Sequence, residues 1–90
     1  MYILVQHTIS DPASMWANAQ QALGALPPHF TLHHCLAGAD GRTAVCVWEA
    51  ESIATLQTYL DPTLGAASKN EYTQAVNASG IAVPPAFQVS

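Results

Sequence analysis

The chain has 90 residues, of which half are hydrophobic and only 9% are charged, so it has room for one domain with one core. Its 6 acidic residues outnumber its 2 basic residues, Arg42 and Lys69, and the formal net charge is −4. Binding to phosphates or anionic lipids requires clustered Lys and Arg, so this composition excludes nucleic-acid binding and disfavours binding to a membrane surface.

The first third of the chain predicts a strand followed by a helix. Residues 2–9 (YILVQHTI) are β-branched and apolar, which is typical of a strand. Ser10 or Asp11 can cap a helix, and Pro12 suits the first helical position. The prediction ends this helix at Pro27-Pro28. Its apolar residues recur at helical spacing: Met15, Trp16, Ala19, Leu23 and Leu26.

A β-hairpin is predicted next, with strands over residues 29–36 and 43–50 on either side of the turn dipeptide Asp40-Gly41. A two-residue turn places Cys35 opposite Cys46, His33 opposite Trp48 and Leu36 opposite Val45. Because side chains alternate along a strand, the hairpin has two distinct faces. The face expected to pack on the helices contains Phe30, Leu32, Leu36, Val45 and Val47. The face expected to line a cavity contains Thr31, His33, Cys35, Ala44, Cys46 and Trp48.

The last third predicts a helix and a fourth strand. The helix begins at Glu51 or Ser52 and breaks at Asp61-Pro62, a short helical turn precedes Gly65, and the strand covers residues 71–76. The buried side of this helix is expected to carry Ile53, Leu56, Tyr59 and Leu60. An irregular tail is expected from about residue 78.

The order β-α-β-β-α-β predicts an α+β, ferredoxin-like fold in a single domain over residues 1–90. In this fold two helices cover one face of a four-stranded antiparallel sheet. So small a chain has no third layer for the other face, so we expect a homodimer in which a second copy covers it.

The sequence predicts a cytoplasmic protein without a membrane partner. No basic segment followed by an apolar run is present at the N-terminus, and no apolar stretch approaches the roughly 20 residues of a membrane span. Cys35 and Cys46 are too few for a disulfide scaffold and are expected to be thiols. A disulfide between the two strand positions is the alternative.

The segments ILVQHTISDPASMW and AVCVWEAES resemble the dimeric α+β barrel superfamily, including its antibiotic-biosynthesis monooxygenase-like and stress-responsive A/B barrel proteins. The matching residues are His7, Asp11, Trp16 and the run 48–52. The resemblance implies two sheets closing face to face into a barrel, with a pocket between sheet and helices in each protomer. Its members include cofactor-free monooxygenases, haem-degrading enzymes and polyketide cyclases. The run 46–50 (CVWEA) is also similar to a small ferredoxin-like family with a nickel-binding branch.

These observations favour a homodimeric pocket protein that takes up a small aromatic or polyketide-like molecule. Binding alone and binding followed by monooxygenase- or cyclase-like transformation are both open, and no cofactor is expected. In the second version His33 is the catalytic base, and Tyr72 or Tyr59 donates a hydrogen bond to developing negative charge. Trp48 orients the ring of the ligand. The expected ligand-binding residues are His7, Cys35, Cys46 and Trp48.

Two alternatives use the same residues differently. His33, Cys35 and Cys46 can form a three-ligand site for a divalent transition metal, because imidazole and thiolates suit zinc, nickel or copper. The protein would then be a non-enzymatic metal-binding protein. The third hypothesis is a structural dimer that binds no ligand, with the sheet face filled by side chains of the partner.

Overall fold

The chain folds into a four-stranded antiparallel sheet with two helices on one face, in a computed structural model that describes residues 1–76. The elements are β1 (Tyr2–Ile9), α1 (Pro12–Gly24), β2 (Thr31–Ala37), β3 (Thr43–Glu49), α2 (Ile53–Leu64), a 3-10 turn (Gly65–Ala67) and β4 (Ser68–Ala75). The strand order is β2-β3-β1-β4. This arrangement is the predicted ferredoxin-like fold. The tail predicted from about residue 78 lies outside the described residues.

Both helices begin at side-chain caps. Asp11 precedes α1 and accepts hydrogen bonds from the backbone N–H and the hydroxyl of Ser14, and Pro12 follows it as predicted. Ser52 caps α2 by accepting the backbone N–H of Thr55 at 3.1 Å. Each cap satisfies an N–H that has no partner inside the helix. Among residues 1–76, no helix has the length and apolar character that crossing a membrane requires.

The predicted end of α2 at Asp61-Pro62 is wrong. The helix continues through Pro62 to Leu64, which is buried in the core. Gly65 then ends it at φ +67°, a conformation that glycine adopts without steric cost, and its N–H donates to the carbonyl of Asp61. The strand β4 also begins at Ser68, three residues earlier than predicted.

The β2–β3 hairpin has the predicted register near its turn. Cys35 lies opposite Cys46 and Leu36 opposite Val45. The N–H of Gly38 donates to the carbonyl of Thr43 at 2.8 Å, and Gly41 has a φ of +74° within the loop. The turn chemistry of the sequence therefore sets which residues pair at this end of the hairpin.

A β-bulge in β2 changes the pairing further from the turn. Leu32 pairs with Trp48 and His34 with Val47, so His33 is an extra residue without a direct partner. His33 was predicted to oppose Trp48, and the bulge is the reason that this pairing is wrong. His33 contacts Tyr2 and Glu49, so its side chain lies on the face opposite to the helices.

The predicted assignment of the two hairpin faces is wrong for β3 and for Cys35 and Leu36 of β2. Ala44, Cys46 and Trp48 are buried toward the helices, beside their β1 partners. Val45 and Leu36 instead lie on the open face, where they are 40% and 75% exposed. Both faces of β3 are apolar, so alternation identifies residues that share a face without identifying the face that is buried. The β1 residues that pair with Trp48, Cys46 and Ala44 are also buried, and they are Ile3, Val5 and His7.

Candidate functional site

The helix-covered face of the sheet encloses an apolar cavity of about 300 Å³. That volume is at the lower end for sites that bind small organic molecules. Helix α1 forms one wall, the hairpin forms another, and Leu60 and Leu64 of α2 contribute apolar side chains. The residues that line it are His7, Met15, Trp16, Ala19, Gln20, Ala22, Leu23, Leu32, Cys35, Cys46, Trp48, Leu60 and Leu64.

The exposed members of this lining indicate where the cavity meets solvent. Gln20 and Leu23 on α1 and Cys35 on β2 are exposed, whereas Met15, Cys46 and Trp48 are buried. Because β2 is an edge strand, no further strand of residues 1–76 closes this side. We refer to the gap between α1 and β2, bounded by Gln20, Leu23 and Cys35, as the cavity opening.

Trp48 brings an unused hydrogen-bond donor to the cavity. Its side chain is buried, with 4% of the residue exposed, and it lines the cavity. Within the described part of the chain, its indole N–H has no hydrogen-bond partner. A buried donor without a partner costs free energy, and a ligand carbonyl or hydroxyl oxygen can recover it.

His7 is the basic group of the cavity, and a hydrogen-bond chain orients its ring. Asp61 accepts the side-chain N–H of Asn70 at 3.0 Å, which turns the amide oxygen of Asn70 toward His7. That oxygen lies 2.7 Å from Nδ1 of His7. Because the oxygen can only accept, Nδ1 carries the proton and Nε2 keeps its lone pair. The arrangement leaves Nε2 as the nitrogen available to a molecule in the cavity.

The electrostatics of this chain favour a neutral His7. Burial lowers the pKa of His7 below its usual value, and this outweighs the opposing effects of Asn70 and Asp61. Burial alone would raise the pKa of Asp61, but hydrogen bonds from Asn70, Tyr72 and Gln57 outweigh it and lower that pKa. Near neutral pH the site therefore contains a neutral imidazole and an ionised carboxylate.

The predicted base and hydrogen-bond donors do not lie in the cavity. His33 is on the open face, where its Nε2 lies 3.0 Å from a carboxylate oxygen of Glu49. The hydroxyl of Tyr72 donates to Asp61 at 2.6 Å, and burial is the main cause that raises its pKa. The hydroxyl of Tyr59 donates to the carbonyl of Ala22 at 2.7 Å and joins α2 to α1. Of the predicted site residues, the cavity brings together His7, Cys35, Cys46 and Trp48.

The predicted free thiols are wrong, because Cys35 and Cys46 form a disulfide. The two residues are directly opposed on neighbouring strands and share the helix-covered face. The bulge sends His33 to the other face, so the three predicted metal ligands do not converge. No group of three or more His, Cys, Asp or Glu side chains in residues 1–76 is arranged to hold a metal ion.

Asn70 and Asp61 belong to the site but were not predicted from the sequence. The predicted fourth strand began at residue 71, which left Asn70 outside the sheet, whereas the observed register places it directly opposite His7. Asp61 was interpreted as a helix breaker, although it lies within α2. The spacing of Ser68, Asn70 and Tyr72 was the available signal, because alternate residues of a strand share a face.

We expect the protein to become less stable between pH 7.5 and pH 5.5. The pKa of His7 is lower in the folded state than in the unfolded state, so acidification protonates the unfolded chain first and draws molecules out of the folded state. The stability that the neutral His7 contributes is fully present above pH 6.5, and it is lost as the pH falls toward the folded-state pKa of His7. Thermal unfolding followed by circular dichroism at several pH values measures it.

His7→Gln provides the control for this pH dependence. Glutamine retains a side-chain N–H for Asn70 and does not titrate, so the variant should lose less of its melting temperature on acidification. The other three histidines are present in both proteins, and their effect cancels in the comparison. Equal slopes for the variant and the original protein would contradict the assignment to His7. The three histidines that both proteins contain are His29, His33 and His34.

The fold and the cavity together define a class: an α+β, ferredoxin-like domain with an apolar cavity between α1 and the sheet. Comparison with known proteins finds no matching protein family, no matching curated protein and no matching solved structure. The function of the domain therefore has to be inferred from the residues of the cavity and from general chemistry.

Proposed function

We propose that the cavity binds a small aromatic or polyketide-like molecule that carries a carbonyl group. The single observation behind this proposal is an apolar cavity that contains a neutral imidazole and an indole N–H without a partner among residues 1–76. The apolar lining favours a hydrophobic ring, and the N–H of Trp48 suits a carbonyl oxygen. The resemblance to the dimeric α+β barrel superfamily forms part of this proposal.

The same two polar groups suit proton abstraction next to that carbonyl. An imidazole accepts a proton in its neutral form, which is the main form when its pKa lies below the working pH, and it is most effective when the two are close. Removal of a proton from the carbon beside a carbonyl places negative charge on the oxygen, and a buried donor aimed at that oxygen stabilises the charge. In this scheme His7 replaces His33 as the base and Trp48 replaces tyrosine as the donor. The reaction requires no cofactor.

Binding can be tested with 1-acetonaphthone, an aromatic ketone, by titration followed by tryptophan fluorescence and by isothermal calorimetry. Ala19 lines the cavity, so Ala19→Phe places a ring inside it and should weaken binding at least about 100-fold, or about 3 kcal/mol. Ala17 is exposed on the same helix and is not part of the lining. Ala17→Phe is therefore the matched control and should bind normally.

Proton abstraction is tested with the same ketone in D₂O. His7 should accelerate deuterium incorporation into the acetyl methyl group, measured by proton NMR, and His7→Gln should abolish the acceleration. Binding without exchange would restrict the function to ligand binding. If neither the ketone nor its hydrocarbon analogue 1-ethylnaphthalene binds the folded protein, the proposal is overturned and a structural dimer is favoured.

We also propose that the protein is a homodimer formed through the open face of the sheet. Leu36 and Val45 are exposed on this face, and Leu4 and Val47 lie beside them, half-buried. Monomeric proteins rarely expose a continuous apolar patch of large side chains. A second copy provides the same apolar patch, so a two-fold contact is self-complementary. The cytoplasmic location remains a prediction.

A further inference from the structure

The Cys35–Cys46 disulfide joins two residues with very different access to solvent. Cys35 is exposed on the edge strand β2, at the cavity opening. Cys46 is 4% exposed and belongs to the hydrophobic core. Exchange of a disulfide requires an incoming thiolate to reach one of the two sulfurs. Access from solvent therefore favours attack on Cys35 over attack on Cys46.

The hairpin does not depend on this bond for its register. The two residues are 11 positions apart, and the backbone pairing from Leu36 to Thr43 already brings them together. The stabilisation from a cross-link grows with the length of the closed loop, so this loop gains less than a long one, and the backbone pairing does not require the bond. The bond can therefore open while the sheet keeps its pairing.

We infer that Cys35–Cys46 is a thiol–disulfide exchange site for low-molecular-weight thiols, with Cys35 as the sulfur that is attacked. An incoming thiolate forms a bond to Sγ of Cys35, and the bond between the two cysteines breaks. The electron pair of that bond goes to Sγ of Cys46, which takes up a proton from water. The first product is a mixed disulfide on Cys35 and a thiol on Cys46.

A second molecule of the same reductant completes the reaction. It attacks the sulfur that the first molecule contributed, releases Cys35 as a thiol and leaves as an oxidised dimer. Overall, two thiols are oxidised and one protein disulfide is reduced. Disulfides of cytoplasmic proteins are usually transient and serve catalysis or redox sensing, which agrees with the expected location. This inference is independent of the proposed ligand.

The site of attack is tested with reduced glutathione on the folded protein, followed by acid quenching and alkylation of free thiols. Arg42 lies between the two cysteines, so trypsin places them in separate peptides for mass spectrometry. We expect glutathione on the peptide that contains Cys35 at about tenfold or more over the peptide that contains Cys46. Equal adducts, or an excess on Cys46, would overturn the inference.

Two single variants provide an independent measurement with Ellman's reagent. Cys46→Ala leaves an exposed thiol at Cys35, which should react in the folded protein about tenfold or more faster than the thiol of Cys35→Ala. The two rates should become similar in urea, because unfolding exposes both thiols to the reagent. That result would show that solvent access, and not the intrinsic reactivity of the thiols, separates the rates in the folded protein. If glutathione reduces the original protein only after unfolding in urea, the disulfide is purely structural and the inference fails.

Discussion

Replacing Val45 by lysine is expected to convert the proposed dimer into a monomer. Val45 lies on β3, a central strand, and its side chain is on the open face, 40% exposed in the single chain. In a two-fold dimer each copy would bring a lysine into the apolar contact, and burial of unpaired or like charges costs several kcal/mol. We expect a dissociation constant at least about 100-fold higher.

Sedimentation velocity or light scattering coupled to size-exclusion chromatography measures this change. Ala54 is exposed on α2, on the helical layer of the molecule, so Ala54→Lys adds the same charge away from the open face. That control should remain dimeric. Far-UV circular dichroism should show that both variants keep their fold. A monomeric original protein, or a dimeric V45K variant, would exclude the proposed contact.

Replacing Leu56 by alanine should destabilise the fold more than any substitution at the surface. Leu56 has 0% exposure and belongs to the core cluster between α2 and the sheet. Truncation of a buried leucine removes favourable burial and leaves a cavity, which together cost about 3–4 kcal/mol. A domain of this size has about 5–10 kcal/mol of stability in total, so the variant should lose a large fraction of it.

Urea unfolding followed by circular dichroism measures the difference in the free energy of unfolding between Leu56→Ala and the original protein. The two proteins must be compared at one protein concentration, because the proposed dimer would make stability depend on concentration. Thr58→Ala changes an exposed position on the same helix and should remain within about 0.5 kcal/mol of the original protein. A loss below about 1 kcal/mol for Leu56→Ala would show that α2 is not packed as described.

The element order could be predicted because its signals are local. Asp11 and Ser52 mark the helix starts by their capping chemistry, and Asp40-Gly41 marks the hairpin. These effects operate over a few residues and do not depend on tertiary packing. The end of α2 could not be predicted in this way, because burial of Leu64 and the cap at Gly65 outweigh the tendency of Pro62 to end a helix.

The members of the candidate site were harder to predict because they depend on contacts between distant segments. Alternation groups Cys35, Cys46 and Trp48 on one face, and all three line the cavity, but that face was not the one expected to pack on the helices. The bulge at His33 moved the expected base out of that group, and no residue in β2 signals an extra position. His7 obtains its role from Asn70, 63 positions away, and only the pairing of β1 with β4 brings the two together.

The bulge in β2 also affects whether strands of other molecules can pair with the edge of the sheet. Exposed edge strands offer free N–H and C=O groups to strands of other molecules, and proteins usually block them with charge or with irregular backbone. With so few charged residues in the chain, charge protects only one edge well, since Lys69 and Glu71 both lie on β4. At the opposite edge, the extra residue at His33 interrupts the regular ladder that an added strand would require. The irregular backbone thus disfavours pairing at this edge, so the open face is the surface left for the proposed dimer.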